Sequence, residues 1–363
     1  MHRPRVRLVL VASETLAALA SLCHAQCPAP TDGFDFATIG AIGNPAWVGP
    51  DPFGLVHGRG RVDYEYRIAR MEVTTSQWME FLNTFSSDPG LIAPGGPRLL
   101  RGPGVWWGGV RDPSYGGPGI RWMLNPGIPQ AGLVPVNGIS WRDAALYCNW
   151  LNNGEPTQWS AIQKGAYDTS TFTLNPDGTF NDQLTRSPGA RFWIPSLDEW
   201  LKAAHYDPDR NGPGQGGWWQ YSHSSDTPPL SGVPGVGQTS ANVLLPNFGE
   251  LNIPLGAYPD VRSPWGLLDT SGGMNEWLEE SYERIWRGFD GTQAGEPFDP
   301  DLDAAWLIGS ERPYFDGRGL RIASAVPAPA TLWVGAGLVW LASRRRHPLA
   351  RSCSERARCR AHR

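Results

Sequence analysis

Cysteine is scarce, with five in 363 residues. Cys23 and Cys27 sit near the start, Cys353 and Cys359 near the end, and only Cys148 falls in the long middle stretch. A disulfide framework is therefore excluded for the body of the chain. Charged residues are also few, at 18%, and long periodic segments are rare, which excludes a helical bundle. Positive charge is the scarcer sign away from the ends. Eight arginines lie from Arg344 onward with the single acid Glu355, and Arg3, Arg5 and Arg7 precede Glu14; the remainder holds 20 basic and 33 acidic residues, a net of −13. No phosphate-neutralising patch stands out, so nucleic-acid binding is excluded, whereas an acidic body suits divalent cations.

In place of these stand 44 Gly, 34 Pro and 18 Trp. That mixture predicts a loop-rich fold in which large aromatic rings pin irregular backbone. The length could hold two domains, but the order of the motifs argues for one.

The most regular stretch, Arg191 to Tyr206 (RFWIPSLDEWLKAAHY), predicts a short strand entering a helix. Ser196 is a good N-cap with Glu199 three residues on, a capping box, and Leu197, Trp200, Leu201 and Ala204 recur at helical spacing. The same format occurs at Glu72-Val73-Thr74-Thr75-Ser76-Gln77-Trp78, where Thr74 and Gln77 make the box and Trp78, Phe81, Leu82 and Phe85 form the buried face. It recurs at Pro135 to Leu151, with Ser140 before Trp141. There Cys148 shares a face with Ala144, Tyr147 and Leu151, which predicts a buried small hydrophobe. Val62 to Val73 alternates as an edge strand, and Asn175-Pro176-Asp177-Gly178 reads as the turn of a hairpin. His57, His205 and His223 fall at no metal-ligand spacing.

These three segments, followed by Gly266 to Trp277, then Arg287-Gly288, then Gly319-Leu320-Arg321-Ile322-Ala323, together resemble the sulfatase-modifying-factor family, the formylglycine-generating-enzyme type of domain. The resemblance spans roughly Tyr64 to Ala323. It implies an α+β fold, a single irregular, loop-rich, C-type-lectin-like domain. It also implies an oxidase that converts a protein cysteine to formylglycine with O2 and copper held by two cysteines near the domain's end. Soft sulfur ligands select Cu(I). The interval from Gly288 to Gly319 contains no cysteine, and Gly288-Phe289-Asp290-Gly291 replaces the family's Gly-Gly-Ser-Trp wording. No copper is expected, and no His/carboxylate triad for iron is found.

Structural Ca2+ is the second implication. Gly272-Gly273-Met274-Asn275-Glu276-Trp277 matches a family segment that supplies oxygens to calcium, with Gly273 where that segment has Asn. Gly273, Met274 and Glu276 are the expected ligands of one site; for Glu276 the alternative is a helix-surface charge beside Glu279 and Glu280. Asn242 and Val243 are those of the other, with Glu250 or Asn252 as completing acceptors. In the Gly/Pro-rich loop from Ser86 to Val134, Trp106, Trp107, Tyr115 and Trp122 have two readings. They form an aromatic platform for sugar rings or a peptide, or they pack the loop onto the body.

The ends carry addresses. Residues 1–25 read as a secretory signal peptide, with three arginines before the apolar run Leu8 to Leu22 and Ala25 for cleavage. Residues 26–61 are a Gly/Pro-rich lead-in, 62–324 the domain. In 325–346, Val326-Pro327-Ala328-Pro329 precedes the apolar run Leu332 to Ala342 and Arg344-Arg345-Arg346; this resembles a PEP-CTERM sorting signal, with Ala328 in place of the usual Glu. Residues 347–363 are a basic cytoplasmic tail. The expectation is an exported protein, anchored in the inner membrane through the C-terminal helix or released to the surface by sorting machinery. The function expected is a non-catalytic binding or matrix module with a glycan or surface-protein partner. The alternative is a formylglycine-generating oxidoreductase, or another metal-dependent oxidase on the same fold.

Overall fold

The computed structural model describes residues 33–51, 54–87, 107–173, 175–176, 181–183, 185–240, 253–272, 274–279 and 318–327, together with the backbone of 289–290 and 306–307. Contacts divide the chain after Val326, and the architecture below belongs to the part before that point. The expected signal peptide, most of the sorting signal and the basic tail lie outside the described residues, as do Arg287 and Gly288.

Three helices begin at capping boxes, and each does so for the reason the sequence gives. Helix α1 (Thr75–Thr84) starts at Thr74, whose hydroxyl accepts from the Gln77 amide while Gln77 accepts from the Thr74 amide at 2.9 Å. Helix α2 (Trp141–Asn152) starts at Ser140 with Asp143, and helix α3 (Leu197–His205) at Ser196 with Glu199. Each box satisfies N–H groups that the first turn cannot pair internally.

The main sheet has the order β1-β2-β12-β5, formed by Phe36–Ile39, Tyr66–Ala69, Ala323–Ser324 and Phe192–Trp193, all antiparallel. The segment expected at an edge is thus interior. Strand β2 pairs on one side with β1, drawn from the lead-in, and on the other with β12 from the far end of the domain. Short two-stranded ladders complete the fold: β3 (Gly109–Arg111) with β4 (Trp122–Leu124), β6 (Tyr206–Asp207) with β7 (Gly217–Trp218), β9 (Phe289–Asp290) with β10 (Trp306–Leu307), and the parallel pair β8 (Asn275–Glu276) with β11 (Arg318–Gly319). Around Asn175, where the sequence predicts a hairpin, the described residues show the backbone bond Asn181 N to Thr173 O beside short 3-10 turns. Nearby, Asn149 donates to Ile162 O and Tyr167 O, and Gln183 accepts from Asp168 N.

Aromatic rings fill the core as the composition predicts. Trp78 of α1 lies 5.1 Å from Tyr147 of α2, and Phe81 lies 5.3 Å from Tyr147 and 5.4 Å from Trp150. Such ring pairs add about 0.5–1.5 kcal/mol beyond their area burial. The other side of α3 buries Leu197, Trp200, Leu201 and Ala204 against Val56, Trp218 and Leu278.

Candidate functional site

Four chain segments converge behind β8 and β11. Val73 N donates to Leu320 O, Gly138 N to Arg318 O, Val136 N to Val73 O, and Trp277 N to Gly319 O. Both residues of β8 are buried, and Glu276 is 1% exposed. Its carboxylate accepts from Arg321 Nε at 3.0 Å on both oxygens, from Arg321 Nη2 at 2.8 Å and from Trp200 Nε1 at 2.6 Å. Two further guanidinium donors go to Ala69 O and Leu268 O. Glu276 is therefore a buried strand residue paired with a cation, and not a helix-surface charge.

Glu72 stands beside this pair, and the sequence reading did not single it out as a ligand. It is 1% exposed, and neither carboxylate oxygen has a hydrogen-bond partner of ordinary geometry. Its Oε2 lies 3.1 Å from where a Cβ on Gly319 would sit; the Val136 carbonyl is 2.7 Å and Met274 Cβ 3.2 Å from the same point. Any side chain at 319 would collide with backbone there. The antiparallel bridge Thr74 to Pro135, continued two residues, sets Glu72 opposite Asn137, whose amide oxygen and nitrogen also lack partners. Burial pushes the Glu72 carboxyl well up, and nearby Glu276 adds to the effect, against Arg321 and the Met274 amide. A signal was available: Glu72 continues the buried phase of Tyr66 and Ile68, so an acid there needed a partner.

Among the described residues no group of three or more acidic, histidine or cysteine side chains is placed to hold a metal ion, so a cation here would draw on few side-chain oxygens. Two buried acids, Glu72 and Glu276, and the half-buried Asp269, which accepts from Gly256 N, lie around one arginine, and hard divalent ions favour carboxylate and amide oxygens. Glu72, with the Asn137 side-chain oxygen, would hold such an ion, and a recess of about 220 Å³ lined by Asp35, Met71, Glu72, Thr74 and Gln77 reaches it from outside. Of the expected ligands, Met274 is brought beside Glu72, while Glu276 is adjacent but engaged by Arg321. Gly273, Asn242 and Val243, with Glu250 and Asn252, lie outside the described residues.

A second constellation surrounds Arg186. Its guanidinium lies 4.1 Å from the Trp193 ring centre and 5.6 Å from that of Tyr64. Arg186 donates to Glu279 Oε2 at 3.1 Å, to Glu199 Oε1 at 3.0 Å and to the Tyr64 hydroxyl at 2.8 Å. Glu199 also accepts from Tyr64 Oη, Trp193 Nε1 and Ser196 N, and Glu279 from Tyr167 Oη and Arg186 N. Burial pushes Glu279 up to about 8 despite Arg186. An open recess of about 440 Å³ lies against this network.

The expected aromatic platform is differently placed. Trp107 and Trp122 are 5% and 7% exposed and meet edge-on at 5.2 Å. Their faces are spent on packing, because the β3–β4 ladder folds them onto α1, where Asn83 bonds Trp122 in both directions. Tyr115 is half-buried and donates to Pro118 O, and Trp106 lies outside the described residues.

Cys148 is a free thiol, fully buried on α2. Burial pushes its pKa well up, with nearby Glu279 adding to the effect, so the thiolate that copper or nucleophilic chemistry needs is suppressed. The residues present do not fit a copper–dithiolate centre, since the body of the chain has no second cysteine.

These features define an irregular α+β domain of small sheets and capped helices. The chain belongs to the family of the sulfatase-modifying factor enzyme 1-like domain, which it matches over residues 58–322. Similar solved structures include that of CarF, 20% identical over 82% of this chain and 100% of that one, TM-score 0.43. Variable protein 1 of Treponema denticola is 16% identical over 81% and 95%, TM-score 0.47. PvdO from Pseudomonas aeruginosa is 14% identical over 81% and 92%, TM-score 0.39. No curated protein matches the chain.

Proposed function

We propose that this protein is an exported binding module built on the sulfatase-modifying-factor scaffold, without the family's cysteine-oxidising activity and with a structural divalent cation, Ca2+ by its oxygen donors, at Glu72. The observation that carries the reading is Cys148: the one cysteine between Cys27 and Cys353 is sealed in the core with its thiol neutral. Within residues 58–322 thiolate-based oxidation would have to run on Cys148 alone, whose thiol is held neutral. Export rests on the N-terminal Arg-rich apolar segment, and anchoring on the apolar run Leu332 to Ala342 with its arginine cluster. A copper competition assay tests it. The purified domain should leave Cu(I) with a chelator of moderate affinity; stoichiometric retention of Cu(I), lost on Cys148→Ala, contradicts it.

A further inference from the structure

We propose that the recess beneath residues 185–190 binds a neutral saccharide ring, an inference that deepens the binding-module reading and rests on it. The recess, about 440 Å³, is lined by Tyr64, Thr185, Ser187, Pro188, Trp193 and Ser196, with Arg186 and Glu279 in its wall. Its volume falls in the range of about 300–1,000 Å³ typical of small-molecule sites. The charges of the wall decide the class of ligand. Arg186 spends three of its five N–H groups on Glu199, Glu279 and Tyr64, and the two carboxylates beside it offset its charge, so an anionic ligand would meet buried acids as well as the guanidinium. Glu199 and Glu279 each accept from several donors, so a cationic ligand finds no open carboxylate. Breaking either internal pair leaves a buried charge uncompensated, which costs several kcal/mol.

A neutral ligand avoids that cost. The Tyr64 ring, 43% exposed, is held in place because its hydroxyl both donates to Glu199 and accepts from Arg186. The Arg186 guanidinium lies over one face of that ring, 5.6 Å from its centre, so a pyranose would stack its C–H side on the other face. Thr185 and Ser187 place hydroxyls at the rim, and the Ser187 oxygen accepts from Gln183. An aromatic face with a few convergent hydroxyls and no free charge is the chemistry that recognises neutral sugars.

The test is saturation-transfer NMR of the purified domain with neutral di- to tetrasaccharides of glucose, galactose, mannose and N-acetylglucosamine. At least one should bind. Tyr64→Ala should weaken it at least tenfold, and Thr185→Trp, at an exposed rim position outside the charge network, should block it while melting stays unchanged. Absence of binding by every sugar overturns the inference, as does binding untouched by both variants or confined to acidic sugars. Turnover of a cysteine peptide sinks the module reading whatever the sugars do. Absence of both sugar binding and turnover sinks the saccharide alone.

Discussion

Arg321 and Glu276 form a fully buried pair at the centre of the domain, joined by Nε bonds of 3.0 Å to both carboxylate oxygens and an Nη2 bond of 2.8 Å. The pair ties β8 to the loop between β11 and β12, and through Trp200 it also ties α3. Removing one partner strands the other charge, at a cost of about 3–5 kcal/mol. Glu276→Gln and Arg321→Met should each destabilise by that order in urea unfolding. A loss below about 1 kcal/mol in both would mean that the pair does not hold the segments together.

Neither carboxylate oxygen of Glu72 has a hydrogen-bond partner of ordinary geometry, and an ion bound there would stabilise the native state by mass action. Wild-type protein should melt several degrees higher with millimolar Ca2+ than with a chelator. In Glu72→Gln the difference should vanish while the apoprotein stays folded. Equal melting of the wild type in both conditions would remove calcium from the account.

The two residues of the third capping box carry unequal loads. Ser196 only caps, so Ser196→Ala should cost about 1 kcal/mol. Glu199 closes the same box and also binds Tyr64, Trp193 and Arg186, so Glu199→Ala should cost several times more. Equal losses would show that the network adds nothing to the cap.

Glu279 makes stability depend on pH. Its folded pKa of about 8 exceeds the usual 4.5, so the fold favours its protonated form. That contribution is fully present below about pH 4.5 and is lost as pH rises through 8, by up to about 1.4 kcal/mol per unit. Buried His205, pushed down to about 3 from 6.5, acts in the opposite sense, and only as pH falls from 6.5 toward 3. Between pH 6.5 and 8 Glu72, pushed well up, and Lys202, pushed down to about 8, also contribute, so Glu279 is read from the difference in urea midpoint between the wild type and Glu279→Gln. The wild type should weaken with rising pH and Glu279→Gln should not share that part of the slope; parallel curves would count against the assignment.

The helices were legible in the sequence because capping boxes and aromatic periodicity are local. Ser196 with Glu199, and Thr74 with Gln77, sit where the spacing put them. The interior position of β2 was not legible, because its partners come from the lead-in and from Ala323–Ser324, far apart in the chain. The same holds for the sites. Glu276 was noticed from its motif, but its partner Arg321 lies 45 residues away. Arg186 drew no notice at all: it sits in a polar loop with no periodic signal, and only folding brings Glu199 and Glu279 to it.

The most direct measurement is mass spectrometry of a cysteine-containing sulfatase peptide incubated with the purified, folded domain, O2 and added copper. With Cys148 sealed in the core, the peptide should be recovered with its cysteine unconverted. Formylglycine appearing only when metal is supplied would contradict the account and show that residues assigned here to structure perform the oxidation.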